Sequence, residues 1–175
     1  AAEAQLDAVE QQLEAGDAGQ AAPAEIRGHT ASIRAWIAYL RGDEDGAAAF
    51  SHRALGSCPQ MDAAVRSGLV AILGDRYLAQ SDLSGAARAY AEAADLARTG
   101  GNVMLEVLAL TSSGSLTEMM GRLHEAEASF REVLQTAVRA QSPVAGQAYA
   151  YLARLYRKWN DLAAARHYAE KSIES

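Results

Sequence analysis

Arg154 and Arg157 stand three residues apart in a stretch of helical character, so they lie one turn apart on one face. A pair of guanidinium groups at that spacing could clamp a carboxylate or a phosphate. Asp75 and Glu118 could accept hydrogen bonds from ligand hydroxyls or pair with a cation. Trp36 and Tyr39 repeat the one-turn spacing and could stack on a sugar face or a peptide side chain. His29, Ser32, Thr111, Ser115 and Gln147 would add smaller polar groups to the same set. All of this is binding chemistry. No GxxxxGK[ST], GxSxG, HExxH or CxxC occurs in the chain. His29, His52, His124 and His167 fall at no ligand spacing and read as solvated helix positions. Cys58, the single cysteine, precedes Pro59 and reads as a structural thiol. Gly100-Gly101 reads as a helix cap and not as a phosphate cradle. The expectation is a segment that is not an enzyme and carries no metal and no cofactor of its own.

These side chains need a scaffold, and a repeat supplies it. The stretch Arg76–Ala94, RYLAQSDLSGAARAYAEAA, reads as the end of one helix, a polar turn and a second helix. Related stretches surround Gly42, Gly121 and Asn160. Each places an alanine in the first turn of its second helix: Ala47, Ala86, Ala126 and Ala165, spaced 39, 40 and 39 residues apart. A second small residue, Ala35, Gly74, Gly114 or Ala153, sits 12 places before each alanine. Small residues held in register allow two helices to approach closely. A period of this length is the signature of a helical-repeat solenoid.

The predicted architecture is a single all-α domain of about nine antiparallel helices. Residues 3–21 contain the second helix of a preceding repeat, and residues 23–58, 61–99, 102–140 and 143–174 form four hairpins. Tyr77, Tyr90, Phe130, Tyr149 and Tyr156 fall at packing positions and are expected in the core. In such stacks the first helix of each hairpin lines the concave face. Register then points inward His29, Ser32, Trp36 and Tyr39 in the first repeat and Gly68, Ala71, Asp75 and Leu78 in the second. Leu108, Thr111, Ser115 and Glu118 follow in the third, and Gln147, Ala150, Arg154 and Arg157 in the fourth. The plainer reading makes these ordinary solvated groove positions, with Trp36 packed on a neighbouring helix.

Composition narrows the function classes. Net charge is −6 and no basic stripe stands out, which argues against direct nucleic-acid binding. No apolar run reaches the length of a membrane span. A lone cysteine fits a reducing compartment, so the expected location is cytoplasmic. The chain opens Ala-Ala-Glu without an initiator methionine, and it is expected to be a fragment of a larger protein, with ends open to self-association.

The second hairpin, with Val70, Leu73, Gly74, Tyr77, Ala86, Tyr90 and Ala93, resembles a tetratricopeptide repeat (TPR). The third keeps Leu110, Gly114, Ala126 and Phe130, and the fourth keeps Tyr149, Leu152, Ala153, Tyr156 and Ala165. The first is degenerate, with Arg34 in the leucine place and Ser51 in the aromatic place. The longer period and the stretches Ala24–Asp43, Ala86–Asn102, Gly121–Ala137 and Ala145–Tyr168 resemble the TPR-like sensor region of MalT-like, LuxR-family, ATP-dependent transcriptional regulators. The resemblance implies a right-handed TPR-like superhelix that binds a small-molecule inducer or a regulatory protein or peptide on its concave face. It also implies ATP on an N-terminal module and DNA on a C-terminal helix-turn-helix, both outside this chain. The alternative is a general TPR scaffold that binds a partner peptide and has no part in transcription.

Overall fold

The computed structural model describes residues 24–141 and 144–175, together with Ala8. The expected helix within residues 3–21 lies outside these. Eight helices follow one another: α1 (Ala24–Leu40), α2 (Glu44–Ser57), α3 (Ala63–Ala79), α4 (Leu83–Thr99), α5 (Val103–Met119), α6 (Leu123–Arg139), α7 (Ala145–Lys158) and α8 (Leu162–Glu174). No strand occurs among the described residues. The helices pair as four hairpins, α1 with α2, α3 with α4, α5 with α6 and α7 with α8, and each hairpin packs on the next. The first helices of the first three hairpins, α1, α3 and α5, also touch in sequence. The chain is an α-solenoid, and none of its described helices is long and apolar enough to cross a membrane.

The turns explain why the repeats keep their register. After α1, Gly42 adopts φ +74°, a left-handed conformation that costs glycine little. Its N–H donates to the Tyr39 carbonyl, and the Asp43 N–H donates to Ala38. These two bonds close a Schellman motif. The longer of the two recurs from Asp82 to Tyr77, Asn102 to Ala97, Arg122 to Thr117 and Asp161 to Tyr156. Asp43, Asp82, Asn102 and Asp161 then cap the following helices, each accepting from a backbone N–H three residues on. Before α6 the place belongs to Arg122, which makes no side-chain cap. Arg122 reaches instead to Glu125 in the first turn.

The small residues do what their spacing predicts. Ala35, Ala47, Ala86 and Ala126 are buried. A Cβ at Gly74 would come 2.6 Å from Cε1 of Tyr90, and one at Gly114 would come 2.6 Å from Cε1 of Phe130. The glycine of one helix thus receives the ring of its partner. The first repeat has no such ring, because Ser51 holds that place; it is buried, and its hydroxyl finds no partner among the described residues. Tyr90 and Phe130 are core residues as expected, whereas Tyr77, Tyr149 and Tyr156 are half-buried. Cys58 is buried, and all four histidines are exposed.

Candidate functional site

Helices α1, α3 and α5 form the floor and walls of a groove. Trp36 lies across Gly68, close enough that a Cβ there would sit 2.4 Å from Trp36 Cζ2. Only glycine permits this approach. Trp36 meets Tyr39 edge to face, with ring centroids 6.0 Å apart and planes at 88°. Beside them a cleft of about 90 Å³ is lined by both rings, Gly68, Ala71, Asp75, Leu108 and Ser112. The structure therefore brings together Trp36, Tyr39, Asp75 and Leu108 from three repeats. A second cleft, about 240 Å³, lies between Tyr39, Asp75, Glu44 and Arg76. Arg76 is held there by Asp45 at 2.5 Å and Glu44 at 4.0 Å.

Asp75 is the hub of the aromatic end. Tyr39 Oη donates to Oδ2 at 2.9 Å, and Tyr90 Oη donates to Oδ1 at 2.6 Å. Burial and then the adjacent Asp75 carboxylate push the Tyr39 phenol from 10.0 up to about 12. Burial and the same hydrogen-bonded carboxylate push Tyr90 further in the same direction. A raised folded-state value means the stabilisation is complete below the ordinary phenol range and is lost as pH rises through the folded value. The ultraviolet absorbance of tyrosinate should accordingly show Tyr39 titrating near pH 12, with Asp75→Asn lowering that midpoint. A Tyr39 midpoint near 10.0 in the folded protein would contradict the contact.

The basic end is built on Glu118, whose side chain is 4% exposed. Arg154 Nη2 donates to Oε2 at 2.5 Å, and Lys158 Nζ lies 2.7 Å from Oε1. Burial opposes the charge on Glu118, but Lys158 and Arg154 outweigh it and hold the carboxyl below its ordinary value. The Arg154 guanidinium also lies 5.1 Å from the centroid of the Tyr151 ring.

The two ends share one rule of construction. Tyr39 and Asp75 are 36 residues apart, as are Glu118 and Arg154. In both, the residue four after the small position of one repeat bonds the residue one after it in the next. Between the second and third repeats these places hold Leu78 and Ser115, which make no such bond. Arg98 joins those repeats instead, reaching Glu106 at 3.1 Å and Glu132 at 2.9 Å.

The remaining sequence-predicted residues are dispersed. His29 is exposed beside another cleft, about 450 Å³, formed with Cys58, Pro59 and Met61. Ser32 corrects the inward expectation: it is buried, and its hydroxyl donates to the His29 carbonyl at 2.7 Å. Thr111 and Ser115 are half-buried on α5. Gln147 is exposed and donates to Tyr151 Oη at 3.2 Å. Arg157 is exposed and holds no ion pair among the described residues. Sequence reasoning missed Lys158, Ser112 and the polar role of Tyr90. Lys158 carried a signal, since it stands four residues after Arg154 on the same helix face.

A family model described as the MalT-like TPR region matches residues 28–175. No curated protein matches the chain. Among solved structures, the apo form of RapI is similar with a TM-score of 0.81 at 11% identity, over 98% of this chain and 61% of that one. Aspartyl phosphate phosphatase F from Bacillus subtilis has a TM-score of 0.81 at 13% identity, over 99% and 45%. A Rap protein complexed with competence and sporulation factor has a TM-score of 0.74 at 17% identity, over 98% and 47%. The chain thus spans less than two thirds of each of these structures. At such identities the likeness is one of fold.

Proposed function

The chain belongs to the MalT-like TPR region family, and from that premise we propose that it is the sensor region of a bacterial LuxR-family transcriptional regulator. It binds an inducer or a regulatory protein on its concave face. The observation that carries this reading is the groove at Trp36, where two aromatic rings, a glycine floor and the Asp75 carboxylate converge from successive repeats. A Rap protein of similar fold has been solved with competence and sporulation factor bound, which supports ligand recognition by such a solenoid. The segment itself is a binding module without catalysis. ATP and DNA belong to modules outside it, and the protein acts in the cytoplasm.

Regulation follows if the ligand binds one arrangement of the repeats more tightly than another, because only differential affinity shifts a conformational equilibrium. A thermal-shift screen of sugars, nucleotides, small metabolites and peptides tests the groove. A true ligand at about 100 times its Kd should stabilise the domain by about 2.7 kcal/mol. Trp36→Ala should remove most of that gain. Stabilisation that survives Trp36→Ala would place the ligand elsewhere and sink the groove reading.

A further inference from the structure

Resting on the groove reading, we infer that the ligand of the Trp36 cleft is a small organic cation, a protonated primary amine on a short apolar body. Among the described residues lining this cleft, Asp75 alone carries a charged side chain. Its two oxygens accept from Tyr39 and Tyr90, and both donors are neutral phenols. Hydrogen bonds from neutral groups orient a carboxylate without cancelling its charge. The next residue, Arg76, does not cancel it either, because its guanidinium is engaged by Asp45 at 2.5 Å and Glu44 at 4.0 Å. Asp75 therefore enters no ion pair among the described residues. It is also half-buried, and a carboxylate partly withdrawn from water gains most from a cation that compensates it.

The rest of the cleft suits the body of such a molecule. Trp36 and Leu108 supply apolar surface, and a volume of about 90 Å³ limits the occupant to a short aliphatic group. The Trp36 and Tyr39 rings add attraction for positive charge through their quadrupoles. Each carboxylate oxygen has a second lone pair, so an ammonium can donate to Asp75 without displacing either phenol. Tyr39, Ile72 and Asp75 also line the cleft of about 240 Å³, where Glu44 contributes a second carboxylate. The positive end of the ligand thus meets negative charge on both sides of Asp75. A neutral ligand would leave the Asp75 charge uncompensated, and an anionic one would be repelled by it.

The test is a nuclear magnetic resonance titration that follows the backbone amides of Gly68 and Ala71, which line the cleft. The probes share one shape and differ in charge: pentylammonium, pentanol and pentanoate. Pentylammonium should bind at least about tenfold more tightly than either of the others. Added salt should weaken pentylammonium and leave pentanol unchanged. Asp75→Asn, which keeps one acceptor oxygen for a phenol, should bring the amine and the alcohol to equal affinity. Trp36→Ala should weaken every probe that binds. Equal affinity of the three probes, a preference for pentanoate, or an amine preference that survives Asp75→Asn overturns the inference. The comparison of probes on the native chain decides the matter even if Asp75→Asn fails to fold. If the probes bind without regard to charge and Trp36→Ala weakens them, the cation inference fails while the groove stands. If binding is indifferent to Trp36→Ala, the groove reading fails as well. If no probe shifts these resonances, the inference fails and the wider ligand screen decides the groove.

Discussion

Replacing Phe130 with alanine should destabilise the domain by about 3–5 kcal/mol, the largest effect expected from any single truncation. Phe130 is fully buried, and its ring lies against Gly114 of the partner helix and stacks on Tyr151 of the next repeat at 5.0 Å. Truncation removes the contact within the third hairpin and the contact across to α7 in one step. Glycine at position 114 cannot fill the void, because it has no side chain to move. In a solenoid, stability is roughly a sum of repeat and interface terms. The urea transition should therefore move to lower concentration and broaden as the third and fourth repeats uncouple. Loss of less than about 1 kcal/mol, with an unchanged transition width, would mean that the ring is not the pin between these repeats.

Asp75→Ala should cost about 1–3 kcal/mol, because it leaves the buried Tyr90 hydroxyl without an acceptor. The same change frees Tyr39, and the edge-to-face contact with Trp36 should loosen. The third repeat indicates the compensation. There Phe130 occupies the ring position and Ser115 the position of Asp75, so the polar partner and the hydroxyl are absent together. Asp75→Ser combined with Tyr90→Phe should accordingly recover most of the stability lost in Asp75→Ser alone. Chemical denaturation of the two singles and the double gives the coupling directly. Additive losses would show that the Tyr90 hydroxyl is satisfied by something other than Asp75. Ligand binding should not recover in the double variant, since Asp75 also anchors Tyr39 in the groove wall.

Much of the fold was legible because repetition amplifies weak signals. A single Gly74-to-Ala86 spacing is a coincidence of small residues, but four copies at 39 or 40 residues constrain where helices meet. The turns were equally readable: Gly42-Asp43 and Gly101-Asn102 announce a left-handed residue followed by a helix cap, and the backbone delivers both. Ser81 and Asn160 take the same left-handed place with φ of 63° and 60°. Residue type gives less warning there, and only comparison among the repeats identifies them.

The site divides along a physical line. Which helix faces carry Trp36, Asp75, Glu118 and Arg154 follows from the sequence, because helical period and repeat register are local properties. What those side chains do depends on neighbours about 36 residues away. Register could not distinguish an open carboxylate from Glu118, which is buried under Arg154 and Lys158. Nor could it show that Asp75 spends both oxygens on Tyr39 and Tyr90, or that Ser32 turns back on its own helix. The sequence by itself determined the solenoid and its period. The tertiary structure alone decided which polar groups stay open to a ligand, because burial and partner distance arise only when separate repeats are brought into contact.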